Sequence, residues 1–221
     1  FADNVRAIVA DFDALPIREG LIKQRVGIVG EILVKYHPTA NNQVERVLME
    51  EGAEVVMPDF VNFLLYLAYC SVGEHRLLED TLMHSLLAQG FIQIMELLRR
   101  PMRKALAASK RFEPPHSIRH IAELARKHVS LGNIAGEGWF LTGEMVELLD
   151  EGVNNIVCLQ PFACLPNHIT GKGVIHELRE SNPGCNILAL DCDAGSSEVN
   201  QLNRLKLMLS VASRNDADRA T

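Results

Sequence analysis

Residues 25–60, RVGIVGEILVKYHPTANNQVERVLMEEGAEVVMPDF, decide the fold. Arg25 to Leu33 is a short apolar run rich in β-branched residues and bounded by polar ones, the pattern of a strand buried on both faces. Glu31, Tyr36, His37, Pro38, Asn41 and Asn42 follow as a polar loop. Val44, Val47 and Leu48 then repeat at helical spacing up to Gly52. Ala53 to Phe60 reads as a second strand that ends at Pro58. Strand, loop, helix and strand within about 30 residues make one βαβ unit, whose crossover is expected to be right-handed.

A second pair of units lies toward the C-terminus. Asn133 to Trp139 (NIAGEGW) reads as a glycine-bearing turn, and Thr142 to Asp150 as a helix stopped by Gly152. A strand from Asn155 to Leu159 opens into the loop that runs through Cys164 and His168. A helix from about Lys172 to Glu180, a strand from Asn186 to Leu190 and an amphipathic helix from Glu198 to Val211 complete the pattern. Between the halves, Val61 to Pro115 shows only helical spacing, with Phe63, Leu64, Leu67, Leu77, Leu78, Leu82, Phe91 and Ile94 forming two or three helices broken at Gly73 and Gly90. Ser117 is placed to cap a helix from Ile118 to Val129. The expected architecture is therefore α/β, a small parallel sheet of about four strands in the order 2-1-3-4, flavodoxin- or Rossmann-like, with a helical insertion at about 61–130. Residues 1–24 read as a lead-in helix, 25–211 as a single α/β domain, and 212–221 as a polar tail.

Composition narrows the function classes. The 221 residues are 48% hydrophobic and 23% charged, with a formal net charge of -6. That balance gives no footprint for nucleic acid, and the run Arg99, Arg100, Arg103, Lys104, Lys110, Arg111 reads as the solvated face of a helix. No apolar run reaches the ~20 residues needed to span a bilayer. Five cysteines, an odd number, in a chain large enough to fold without staples point to free or metal-bound thiols in a reducing, cytoplasmic setting. The chain starts at Phe1 without methionine and reads as a piece of a longer protein.

In an open parallel sheet, functional groups gather at the C-terminal strand ends. Three loops should meet there, carrying Glu31, Tyr36, His37 and Asn41, then Gln160 to His168, then Asp191 to Ser197. Cys158 and Cys164 lack the C-x-x-C spacing of a zinc knuckle. Cys158, inside the strand, suits core packing, whereas Cys164, between Pro161 and Pro166, suits a thiolate ligand or a redox thiol. His168 is open to three roles, capping a helix, binding a ligand or facing solvent. The Gly-Lys-Gly at 171–173 lacks Walker spacing, and NIAGEGW lacks G-x-G-x-x-G, so neither establishes a nucleotide. Asp191 and Asp193 fit either a cation or a turn.

Residues 30–60, GEGWFLTGEMVELLDEGVNNIVCLQPFACLPNHITGKGVIHELRE (136–180) and NILALDCDAGSSEVNQLNRLKLML (186–209) resemble the dehydratase-like portion of the large activase proteins related to 2-hydroxyacyl-CoA dehydratases. The likeness covers roughly residues 25–211, and CLQPFACLPNH followed by GKG is its most specific part. It implies an iron–sulfur protein of anaerobic metabolism, in which an ATP-dependent activator passes low-potential electrons to a component that holds its cluster on cysteines between α/β domains. On this chain the resemblance implies Cys164 first and Cys158 second as cluster ligands. Gln160, Asn167 and His168 would support them, with Glu31, Tyr36, His37 and Asn41 lining the facing loop. Cys70, Cys185 and Cys192 have no evident place in that set. The implied partners are upstream ATPase and cluster-binding domains of the parent chain and an acyl-CoA-processing enzyme, with a homodimer left open. On this reading the chain is a fragment, inactive alone and without a complete cluster. The alternative is a cluster-free α/β module that binds an acyl-CoA or nucleotide, or docks a protein through its helical insertion.

Overall fold

Burial on both faces marks the central strands, as a parallel sheet covered by helices on either side demands. The computed structural model describes residues 1–18, 20–77 and 82–220. In chain order the elements are α1 (Ala2–Asp13), β1 (Arg25–Gly30), α2 (Ile32–Tyr36), α3 (Val44–Glu50), β2 (Glu54–Val56), α4 (Phe60–Leu77) and α5 (Leu82–Ala107). There follow α6 (Ile118–Ala125), α7 (Gly138–Asp150), β3 (Asn155–Pro161), α8 (Leu165–Thr170), α9 (Ile175–Ser181), β4 (Asn186–Cys192) and α10 (Glu198–Ala220). A 3-10 turn, Lys172–Val174, leads from α8 into α9. Two compact units divide these elements, Phe1–Ile22 with Asp59–His120, and Lys23–Pro58 with Ile121 onward.

The second unit is the α/β one, and its four strands are all parallel in the order β2-β1-β3-β4. This is a small Rossmann- or flavodoxin-like fold, with the order read from the sequence. Alternation along β3 sends Ile156 and Cys158 toward α7 and α9, where they join Leu141, Met145 and Leu178. Val157 and Leu159 face the other layer, with Val34, Leu48, Leu205 and Met208 of α2, α3 and α10. Each such fully buried aliphatic side chain stabilises the fold by roughly 1.5–3 kcal/mol. Close approach is built in with glycine. A Cβ on Gly27 would lie 2.6 Å from Leu148 Cδ1, and one on Gly143 would lie 2.5 Å from Ile121 Cγ2 of α6.

Strand β4 is an edge, yet its outward carbonyls are taken by side chains. Ile187 O accepts from Arg179 Nη2 (2.7 Å), Ala189 O from Arg204 Nη2 (2.6 Å) and Asp191 O from Gln201 Nε2 (2.8 Å). A strand arriving from outside would find these acceptors occupied, which blunts the edge against pairing.

In the helical unit, α4 and α5 face each other along Ser85, Ile92 and Arg99, three buried positions seven residues apart. Arg99 is buried, bonding Asp59 Oδ2 (2.5 Å) and Asn62 Oδ1 (2.9 Å), while Arg103 pairs with Glu96 (3.1 Å). The basic run is therefore not wholly a solvated face. Asp13, at the end of α1, accepts from Ser109 Oγ (2.7 Å), and Phe12 meets Phe112 edge to face.

Several boundaries differ from the sequence reading. Strand β1 ends at Gly30, because Glu31 caps α2 and takes Ile32 and Leu33 into a helix. Strand β2 is three residues long, and Phe60 already belongs to α4. Gly73 and Gly90 lie inside α4 and α5 rather than breaking them. Leu78, read as part of the helical pattern, lies outside the described residues. The lead-in helix stops at Asp13, and α10 continues to Ala220 through residues that read as tail, with Thr221 outside the described residues. Ser117 does cap α6, its Oγ accepting from His120 N (3.3 Å). No helix among the described residues is long and apolar enough to cross a membrane.

Candidate functional site

Strand order reverses between β1 and β3, so the crevice at their C-terminal ends is where a fold of this kind offers a site. Gly30 ends β1 at φ 141°, and a Cβ there would lie 1.9 Å from Leu159 O, so only glycine fits. Glu31 follows as the cap of α2. Its Oε2 accepts from Val34 N (2.7 Å), and its own N–H donates to Leu159 O (2.9 Å).

The loop before α7 delivers an unexpected group into this crevice. Gly136 runs so close to Pro166 that a Cβ would stand 3.3 Å from the proline ring, and the next residue, Glu137, is buried. Glu137 Oε1 accepts from Ile32 N (3.1 Å) at the start of α2. Its Oε2 accepts from the Asn167 amide nitrogen (2.9 Å), while the Asn167 oxygen accepts from Glu31 N (3.2 Å), the orientation in which both ends of the amide are satisfied. Burial raises the Glu137 pKa, against the opposing pull of the Ile32 N–H, with Glu31 raising it further and Lys35 lowering it. Behind it, Lys35 reaches Glu144 of α7 (2.8 Å), and both side chains are almost fully buried. The protein's own carboxylate thus fills the place at the strand–helix turn where a dinucleotide fold seats a phosphate.

The two cysteines part company here. Cys158 is fully buried in the layer under α7, and burial, with Glu144, Asp191 and Glu137 adding to it, pushes its thiol up to about 12. Such a thiol is neutral and enclosed, so Cys158 packs as a core residue. Cys164 is half-buried, immediately before α8 and after Ala163, whose φ of 59° turns the chain out of β3. Its Sγ lies 3.4 Å from the Asn167 amide. Asn167 is itself fully buried, which holds the first turn of α8 in place. His168 Nδ1 bonds Cys164 O (2.9 Å), tying the turn from the other side.

Gln160 is wholly buried near the end of β3. Its Nε2 donates to Asp191 Oδ1 (2.5 Å), and its Oε1 has no hydrogen-bond partner. Lys172 Nζ stands 3.8 Å from the other Asp191 oxygen. Gly171 of the Gly-Lys-Gly run answers a packing demand, since a Cβ on it would lie 2.6 Å from Asn167 O and 3.2 Å from Cys158 Sγ.

Three of the expected residues are employed elsewhere. Asn41 Nδ2 donates to Val34 O (2.8 Å) and Lys35 O (3.3 Å), and its Oδ1 accepts from Val44 N (3.2 Å), so it braces the loop between α2 and α3. Tyr36 Oη donates to Pro58 O (2.8 Å) and His37 Nδ1 accepts from Ala40 N (3.3 Å). The structure brings Glu31, Asn167 and Cys164 together and adds Glu137, Lys35 and Glu144, which the sequence reading missed. A lysine in ILVKY and glutamates in FLTGEMVELL, each within an otherwise apolar helix, were the available signals. No protein-family model, curated protein or solved structure matches the chain.

Proposed function

We propose that this chain supplies one wall of an iron–sulfur site in an electron-transferring protein related to the activases and 2-hydroxyacyl-CoA dehydratases. The observation that carries the reading is Cys164, a free, half-buried cysteine on the turn leaving central strand β3. When bound, an iron–sulfur cluster would supply one-electron transfer at low potential, and thiolate is its ordinary ligand. This chain's residues fit one ligand and not a set. Cys158 is enclosed with a neutral thiol, Cys192 is buried with its thiol pushed up to about 11, Cys185 precedes β4 at the opposite end of the sheet, and Cys70 lies in α4. The remaining ligands, and any ATP hydrolysis, belong to other parts of a longer protein or to a partner. Asn167, pinned between Glu137 and Glu31, sets the position of the Cys164 turn.

The test is anaerobic reconstitution of the full-length natural polypeptide with iron and sulfide. Iron uptake with a paramagnetic signal on reduction, both lost in Cys164→Ser, supports the reading. No uptake, or uptake unchanged in Cys164→Ser, overturns it.

A second reading, a cluster-free module with a small ligand at the sheet edge, is favoured by Gln160, whose buried Oε1 is without a partner. A ligand donating to that oxygen would raise the melting temperature by mass action. A screen of CoA esters and nucleotides without any shift removes this reading.

A further inference from the structure

Along the edge of β4, between α9 and α10, runs a groove of about 730 Å³, a volume within the range of small-ligand sites. Its floor is the strand edge from Ile187 to Ala189. One wall comes from the Gly-Lys-Gly turn and α9, where Lys172, Ile175, His176 and Arg179 recur at intervals of three, one and three and so share one helical face. Arg204 of α10 forms the other wall. In a chain of net charge -6, Lys172, Arg179 and Arg204 thus converge on one concave surface.

The two arginines are anchored without being used up. Arg179 Nη2 donates to Ile187 O (2.7 Å) and Arg204 Nη2 to Ala189 O (2.6 Å). A guanidinium carries five N–H donors in a planar fork, so most of each fork is left over. Among the described residues neither guanidinium makes an ion pair. Glu180 faces His176 Nδ1 at 3.7 Å, and Asp191, which accepts from Gln160, stands 3.8 Å from Lys172 Nζ, both contacts longer than a hydrogen bond. Residues 187 and 189 are two apart on one edge, which sets their carbonyls about 7 Å apart. Donors anchored at that separation can flank a single tetrahedral oxyanion, which accepts from each at about 2.8 Å. Because the strand already holds both forks, little rotamer freedom is left to lose on binding. Ile175 and Leu188 add apolar surface beside the cations, which suits an organic body attached to the anion. An added polypeptide strand does not fit, since the edge carbonyls it would pair with are occupied.

We infer that this groove binds a small organic phosphate monoester, its phosphoryl group clamped between Arg179 and Arg204 with Lys172 alongside, and its apolar body lying along β4. Neither Cys164 nor the Gln160 oxygen takes part. Isothermal titration calorimetry of the 221-residue chain in a phosphate-free buffer tests it, with phenyl phosphate and inorganic phosphate as probes. Phenyl phosphate should bind with a Kd of about 1 mM or below, and more tightly than inorganic phosphate. Arg179→Gln and Arg204→Gln each keep an N–H for the strand carbonyl, and each should weaken phenyl phosphate roughly tenfold or more with unchanged far-UV circular dichroism. Arg179→Lys and Arg204→Lys keep the charge but lose the fork, and should fall between wild type and the glutamine variants. Arg100→Gln/Lys104→Gln, which removes two cations from α5, should change nothing. No binding of phenyl phosphate at about 10 mM overturns the inference, as does binding unchanged in Arg179→Gln/Arg204→Gln. Equal weakening in Arg100→Gln/Lys104→Gln would reduce the effect to diffuse charge and overturn it too. Inorganic phosphate binding as tightly as phenyl phosphate overturns the place given to the organic body, and hexaglutamate binding more tightly than either would assign the groove to an acidic peptide instead.

Discussion

Cys158 and Cys164 leave the same strand six residues apart and end in opposite surroundings. Cys158 pairs across the sheet with Val29 and Ala189, and its thiol is pressed between the α7 layer and Gly171. Cys164 stands past the strand end, half-buried, beside an amide that is locked from both sides. The difference comes from strand alternation and strand length, not from the local composition of CLQPFAC. Inside the crevice Glu137 is answered by the Ile32 N–H and Asn167, and Lys35 by Glu144, while Cys164 stands at the rim. The predictions below probe that division, beginning with the interior.

The largest effect is expected at the Lys35–Glu144 pair. Glu144→Ala strands Lys35, which is 2% exposed, and breaking a buried pair in this way costs about 3–5 kcal/mol. Urea denaturation measures it. Lys35→Met/Glu144→Leu should recover most of the loss, and a single variant as stable as the wild type would mean the interior is wetter than described.

Next come the cysteines themselves. Cys158→Ser buries a hydroxyl in an apolar layer at a cost of roughly 1–3 kcal/mol, whereas Cys164→Ser should stay within about 0.5 kcal/mol. Equal losses would erase the distinction between core and rim.

A smaller effect, on pH dependence, belongs to Glu137. Its folded pKa is raised, so the stability it contributes is fully present below the ordinary value of 4.5 and is lost as pH rises through the folded pKa. Melting temperature across that window should therefore fall with rising pH in the wild type and flatten in Glu137→Gln. A slope unchanged by the substitution would assign it to other groups.

The sheet was legible because β-branched runs bounded by polar loops leave little choice of element, and 2-1-3-4 is the simple way to join two βα pairs around an insertion. Helix α8 was not legible. Pro161 and Pro166 read as loop, yet Pro166 sits in the first helical turn, where its missing N–H has no partner to lose. Gly73 and Gly90 read as breaks, but the helices run through them, since a single helical glycine costs about 1 kcal/mol and does not stop a long helix. Glu137, Lys35 and Glu144 escaped for a different reason. A charged residue in an apolar run signals a buried partner, but a partner 109 positions away is visible only once the strands are assembled. Asn41 and Tyr36 showed the converse, since their loop position suggested a site while their hydrogen bonds serve the loop.

The division between core and rim is tested most directly by thiol-resolved alkylation of the native chain at pH 7, read by peptide mass spectrometry. With its thiol near 12, on the order of 10⁻⁵ of Cys158 is ionised at that pH, and it is enclosed as well. The account predicts rapid labelling of Cys164 and none of Cys158 until denaturant is added. Labelling of Cys158 at the rate of Cys164, or protection of both, would contradict it.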